Sequence, residues 1–197
     1  MTLQRQATNR FLDPTSGLWT TKLLPGEYFI CPVGERVATT LGSCIAACIR
    51  DRAKGIGGMN HFMLPQSEQG QWAGVNAATR YGNFAMEYLI NEILKRGGQK
   101  ANLEAKIFGG GLMMESTYNV GRENTKFAQE YLQTEGIHLA AADVGGPFSR
   151  KVWFRPDTGE VAQKKLRALA NDTISRREAD YRAELSSLPA DSDVELF

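Results

Sequence analysis

Histidine is almost missing from this chain: among 197 residues there are only two, His61 and His138. Cysteine is nearly as scarce, with Cys31, Cys44 and Cys48. An odd count and no export signal fit a reduced, cytoplasmic protein better than a disulfide framework. Charge of one sign is missing too. The 23 basic and 22 acidic residues leave a net charge of +1, so no basic excess points to nucleic acid and no like-charge block forms a tail. There is no apolar run of the roughly 18 residues that a spanning helix needs, which excludes direct membrane insertion by a helix. The opening stretch MTLQRQATNRFLDPTSG has no apolar core of a secretory signal. Internal repeats and low-complexity segments are absent as well.

What is present fits one domain with appendages. Residues 1–25, broken by Pro14, Gly17 and Pro25, read as a flexible N-terminal arm. A domain follows over 26–165. GEYFIC predicts a short strand ended by Pro32 and Gly34. VATTLGSC runs into the buried strand IAACIR, DRAK turns, and GIGGMNHFML returns. Helical spacing covers about 77–96 and stops at Gly97 and Gly98. LEAKIF is a strand ended by Gly109–Gly111. A second helix spans about 121–135, IHLAAAD is a strand, and KVWFRPDTGEVAQ is a hairpin turning at PDTG. From Lys164 to Leu185 the spacing is helical again. Residues 166–197 therefore read as a C-terminal helix and tail. Its charges, Arg176, Arg177, Glu178, Asp180, Arg182 and Glu184, predict a solvated face and a packing role. Strands and helices mix without regular βαβ alternation, which predicts a layered α+β fold.

The chemistry gathers in 39–65, TTLGSCIAACIRDRAKGIGGMNHFMLP, which holds two of the three cysteines and one of the two histidines. A four-residue loop at 51–54 would pair Arg50 with Gly55 and, in the same register, Cys44 with His61. Directly opposed residues share a face. A five-residue loop would put the two on opposite faces, and a bulge could restore them. A neighbouring imidazole favours the thiolate, which is the nucleophile, and can later protonate a leaving amine. Gly42 and Ser43 are small enough to let backbone N–H groups reach a developing oxyanion. These parts suit acyl transfer at an amide or ester. They also predict a Cys44 that is partly accessible in a groove.

Blander readings stand beside this one. Free cysteines are usually buried small hydrophobes, and Cys31 and Cys48 are read that way; His138 reads as structural or surface. A zinc site from Cys31, Cys44, Cys48 and His61 lacks the close ligand pairs of common sites, and a strand from 44 to 48 would separate its ends by about 13 Å. The glycine runs at 55–58 and 109–111 match no phosphate-binding pattern and read as turns or close backbone packing.

LGSC followed by GGMNHFMLP resembles the CheD family of chemoreceptor glutamine deamidases. Leu41, Gly42, Ser43, Cys44, Asp51, Gly58, Met59, His61, Met63, Leu64 and Pro65 fit its pattern. AKIFGGG, NVGREN, and DVGG followed by DTGE continue the likeness, over about residues 25–165. The resemblance implies an α+β fold with β-sheets packed together in the centre and helices outside. It implies a cysteine amidohydrolase, a protein-glutamine glutaminase, with Cys44 as nucleophile and His61 as general base and acid. Thr39 would orient the histidine, with Thr40 as the alternative. The substrates would be glutamine side chains on chemoreceptor cytoplasmic helices, converted to glutamate in chemotaxis adaptation. Some relatives have methylesterase activity. Others are bound by a CheC-type phosphatase, and regulating such a partner is the alternative function. No cofactor and no metal are implied.

Overall fold

The protein is described here by a computed structural model, over residues 4–65, 74–112, 120–166 and 172–186. Its centre is two mixed sheets stacked face to face, with helices outside, as the sequence predicts. In chain order the strands are β1 (Arg5–Gln6), β2 (Arg10–Leu12), β3 (Trp19–Lys22), β4 (Glu27–Cys31), β5 (Arg36–Leu41), β6 (Ile45–Asp51) and β7 (Gly57–Phe62). After them come β8 (Leu103–Gly109), β9 (His138–Val144), β10 (Ser149–Arg155) and β11 (Glu160–Leu166). The helices are α1 (Gly74–Lys95), α2 (Val120–Thr134) and α3 (Asp172–Ser186). One sheet has the order β1-β4-β7-β6-β8-β9, the other β11-β10-β5-β3-β2.

The stretch read as strand running into strand is divided between the sheets. β5 lies in the second, β6 in the first, and Gly42–Ser43–Cys44 makes the crossing. β6 is central in its sheet and covered on both faces, with Ile45, Ala46, Ala47, Cys48 and Ile49 all at 1% exposure or less. A strand covered on both faces reads as a continuous apolar run rather than an alternation, which is why IAACI is legible as buried.

α1 and α2 cover the outer face of the six-stranded sheet. α1 buries Tyr81, Ala85, Met86, Leu89, Ile90 and Ile93, a single helical stripe. It ends where expected: Gly97 has φ +93° and the Gly98 N–H donates back to the Ile93 carbonyl at 3.0 Å, the closing bond of a glycine-terminated helix. The PDTG turn joins β10 and β11, with Arg155 paired to Glu160. His138 is exposed on β9.

Two stretches depart from the sequence reading. Residues 5–22, read as an arm, contribute strands to both sheets: β1 forms one edge parallel to β4, and β3 runs parallel to β5 with β2 beside it at the edge. Ala7, Thr20, Thr21 and Leu23 are buried in the process. At the other end, the helical pattern assigned from Lys164 begins only at Asp172, because Lys164–Leu166 complete β11 against Ser149–Lys151. Leu169 and Ala170, the tail after 186, and Asn119 of the NVGREN motif lie outside the described residues.

The glycines of 109–111 serve backbone packing. Gly110 and Gly111 donate to the carbonyls of Cys44 and Gly42, each at 2.8 Å. A Cβ on Gly109 would overlap the Cys44 carbonyl oxygen. From the other side Gly121, at the start of α2, lies so close that its Cβ would overlap the Gly110 carbonyl. Gly121→Ala is therefore expected to push α2 off the 109–111 turn and cost about 1–3 kcal/mol. Urea unfolding would measure it, and an unchanged midpoint would disprove the packing role.

Candidate active site

The site is built where the chain changes sheets. Cys44 ends the crossing turn, Thr39 lies on β5, and His61 lies on β7 in the other sheet. The hairpin register differs from the expected one. Arg50 pairs with Gly57, and His61 pairs with Ala46 rather than Cys44. The loop has the expected length but starts one residue later. The Asp51 N–H donates to the Ile56 carbonyl at 2.8 Å, leaving 52–55 as the loop, and Asp51 Oδ1 accepts from the N–H groups of Ala53 and Lys54. Shifting both loop ends by one residue keeps parity. Cys44 therefore stays on the face of His61, one diagonal step away.

Thr39, and not Thr40, meets the histidine. Its Oγ1 is 2.7 Å from His61 Nδ1 and donates to the Leu23 carbonyl at 3.0 Å. A hydroxyl has one proton to give. With that proton on Leu23, Oγ1 accepts from Nδ1–H, which fixes the neutral tautomer with a lone pair on Nε2. That Nε2 is buried and has no hydrogen-bond partner, a condition expected of a group held ready for a proton. Leu23 directly follows β3, so the segment read as an arm supplies the carbonyl that takes the Thr39 hydroxyl proton.

Two clamps hold the crossing turn. Asn124 of α2 donates through Nδ2 to the Ser43 carbonyl at 2.9 Å and accepts through Oδ1 from the Leu64 N–H at 2.9 Å. One side chain thereby ties the Cys44 turn to the end of the return strand. The glycines of 109–111 hold it from below.

A fourth residue stands in the site that the sequence reading placed on a solvated face. Glu178 of α3 is only 4% exposed. Its Oε1 accepts from the N–H groups of Gly42 (2.7 Å) and Cys44 (3.3 Å), and its Oε2 from the N–H (2.9 Å) and hydroxyl (2.7 Å) of Ser43. One ligand atom each of Cys44, His61 and Glu178 lie within 4.8 Å of one another. A signal for this existed. Ile174, Tyr181 and Leu185 form the inward stripe of α3, and Glu178 is the lone acid in its middle, at i+4 from Ile174 and i−3 from Tyr181.

Glu178 also corrects the expected accessibility. Cys44 is fully buried rather than open to a groove. Burial first, and then the Glu178 carboxylate, push its thiol well above the usual range. Burial pulls His61 down to about 4, against an opposing pull from Glu178. The pair is therefore a neutral thiol and a neutral imidazole, not an ion pair. Cys31 and Cys48 are free and buried, as expected. Burial raises both thiols. Neither joins the cluster of Cys44, His61 and Glu178, so the four-ligand zinc set does not assemble among the described residues. Cys, His and Glu are donors that zinc accepts, but both oxygens of Glu178 already face N–H or O–H donors.

A model of the family described as CheD chemotactic sensory transduction matches residues 63–165. Full-length relatives extend the match. The protein named "Probable chemoreceptor glutamine deamidase CheD" from Halorhodospira halophila is 47% identical, covering 96% of this chain and 89% of its own. The one of the same name from Hahella chejuensis is 46% identical, covering 98% and 92%. This chain belongs to the CheD family. A further CheD relative, from Dechloromonas aromatica, is 48% identical over 97% of this chain. Among solved structures, the Bacillus licheniformis hypothetical protein YfiH is far more distant, at 14% identity and a TM-score of 0.38 over 59% of this chain and 49% of its own. Among the described residues of this CheD chain, no helix is long and apolar enough to cross a membrane.

The depressed His61 has a consequence for stability. Its folded pKa of about 4 lies below the ordinary 6.5, so between those values the unfolded chain binds more protons. Stability gained by keeping His61 neutral is complete above about pH 6.5 and is lost as the pH falls toward 4, by on the order of 3 kcal/mol. His61→Gln is expected to flatten that segment of the stability–pH curve in urea titrations. An unchanged curve would show that His61 does not titrate there.

Proposed function

We propose that this chain is a cysteine amidohydrolase that converts selected glutamine side chains of chemoreceptors to glutamate and releases ammonia. The activity is the one named for its CheD relatives. The observation that carries the reading is the cluster of Cys44 and His61, with the His61 tautomer fixed by Thr39 and its Nε2 unpaired.

The chemistry follows from those atoms. Nε2 takes the Cys44 proton, and the thiolate sulfur adds to the carboxamide carbon. The oxygen, now negatively charged, faces the N–H groups of Gly42 and Cys44, donors aimed at the point where charge develops. His61 returns its proton to the nitrogen, the C–N bond breaks and ammonia leaves. Water, deprotonated by His61, then cleaves the thioester to glutamate and free thiol. Thr39 keeps the imidazole oriented throughout. A glutamyl methyl ester would follow the same path with methanol as leaving group, so methylesterase activity belongs to the same reading. The glutamine-bearing partner is a helix of the receptor's cytoplasmic part, which sets the enzyme in the cytoplasm. A role confined to binding a CheC-type phosphatase would require none of this arrangement, and the enzyme is the favoured reading.

Incubation of a glutamine-containing receptor cytoplasmic fragment with wild type and with Cys44→Ala tests the reading by mass spectrometry. Conversion of glutamine to glutamate by the wild type alone is expected. Conversion by both would remove Cys44 from the mechanism, and conversion by neither would remove the activity. Thr39→Val is expected to lower kcat about 100-fold, and Thr39→Ser to restore most of it. Equal rates for the valine and serine variants would mean that the hydroxyl does not orient His61.

A further inference from the structure

The Cys44 thiol is fully buried, and the residue covering it belongs to the same chain. We propose that α3 is a built-in product mimic: Glu178 fills the acyl site of its own chain, and the surface beneath α3 is where a substrate helix docks to present its glutamine. The inference rests on the deamidase reading above and names how the substrate reaches that site.

Three observations carry it. The first is chemical identity. A glutamate side-chain carboxylate is the product of the proposed reaction, and Glu178 places one on the donors of the Gly42–Cys44 turn. The second is the manner of burial. A buried carboxylate is costly unless its lone pairs are satisfied, and the four donors that meet Glu178 among the described residues come from Gly42, Ser43 and Cys44, with no cation among them. The turn is therefore shaped for a carboxylate or an oxyanion independently of α3.

The third is the way α3 is held. Its inward side chains follow a single stripe, with Tyr181 and Leu185 buried and Glu178 between them and the partly covered Ile174. The Tyr181 hydroxyl meets that of Tyr81, and its ring closes over Gly26, where a Cβ would come to 2.7 Å. Arg5 reaches Glu184 at 3.7 Å across a half-exposed pair. A cleft opens along this contact, walled by Lys22, Leu24, Pro25 and Thr40 on one side and by Ile174 and Arg177 on the other. The seat thus accepts a helix that carries a side-chain carboxylate, or the amide from which it forms, in the middle of an apolar stripe.

Departure of α3 would prepare the nucleophile. It removes the main causes that raise the Cys44 thiol, burial and the contact with Glu178, and with them the smaller opposing pull of Arg182, which also lies on α3. For His61 it relieves burial, the larger of the two opposing influences. Both groups move toward the thiolate–imidazolium pair. Exchange of α3 for a substrate helix therefore couples access to activation.

Glu178→Gln in the full chain tests the seat directly, because it makes α3 a substrate in cis. The Cys44 sulfur adds to the side-chain carbonyl carbon of the introduced glutamine, ammonia leaves with the His61 proton, and water releases a glutamate and the free thiol. Peptide mass spectrometry is expected to show position 178 reverting to glutamate at a rate independent of protein concentration, and no reversion when Cys44→Ala is added. Persistence of the introduced glutamine, in a sample that deamidates the receptor fragment, would overturn the inference and leave the deamidase reading standing. If neither the introduced glutamine nor the fragment is converted, the deamidase reading fails, and iodoacetamide labelling decides the position of α3 alone. Glu178→Lys is expected to label at Cys44 about tenfold faster than wild type, with Cys31 and Cys48 as internal references and an unchanged Tm as the check on folding. Equal labelling rates would show that α3 does not guard the thiol.

Discussion

The turn at Gly42–Cys44 leaves one sheet and joins the other, and the site depends on that crossing. A turn between stacked sheets exposes backbone groups that neither sheet's ladder can satisfy. Here the carbonyls turn inward, where Gly110, Gly111 and Asn124 take them. The N–H groups turn outward and converge on one carboxylate. A cluster of N–H donors aimed at one carboxylate is thus a by-product of how the crossing meets its hydrogen-bonding requirement. The same crossing brings Thr39, the last-but-two residue of β5, against His61 of β7, so one hydrogen bond between the sheets fixes the histidine's tautomer.

Much of this is written locally. IAACI announces a strand covered on both faces, Gly97–Gly98 a helix end, and PDTG a hairpin, because each reflects backbone conformation or burial within a few residues. The neighbourhood of Cys44 and His61 follows from a hairpin register that differs from the observed one by two residues. It survives because strand parity, not register, decides which face a side chain takes. The choice of Thr39 over Thr40 is not decidable from parity alone, because it depends on the stacking of a second sheet on the first.

What the sequence hides is long-range. The 1–25 segment lacks strand periodicity, since strands of two to four residues are too short to show one. Glu178 is hidden for a different reason. In α3 it stands among Arg176, Arg177, Asp180 and Arg182, and a charge among charges reads as solvated. Only its phase against Ile174, Tyr181 and Leu185 separates it from them. The Ser43 donors it meets lie 135 residues away along the chain, and no local rule connects the two.

The electrostatics of the closed site follow from the same contact. A thiolate and a carboxylate cannot share the 42–44 donors, because like charges within 4.8 Å in a water-poor pocket repel strongly. With Glu178 seated, burial and that contact keep the proton on sulfur, and burial keeps the imidazole neutral. In the closed site Glu178 takes up the 42–44 donors, and the Cys44 thiol stays protonated. An incoming carboxamide is neutral and brings no such repulsion; its charge appears only after the sulfur adds. The N–H cluster thus accepts a single negative charge at a time, on the product-like carboxylate or on the reacting oxygen. On that exclusivity, a product carboxylate on the 42–44 donors has to leave before the thiol can lose its proton again.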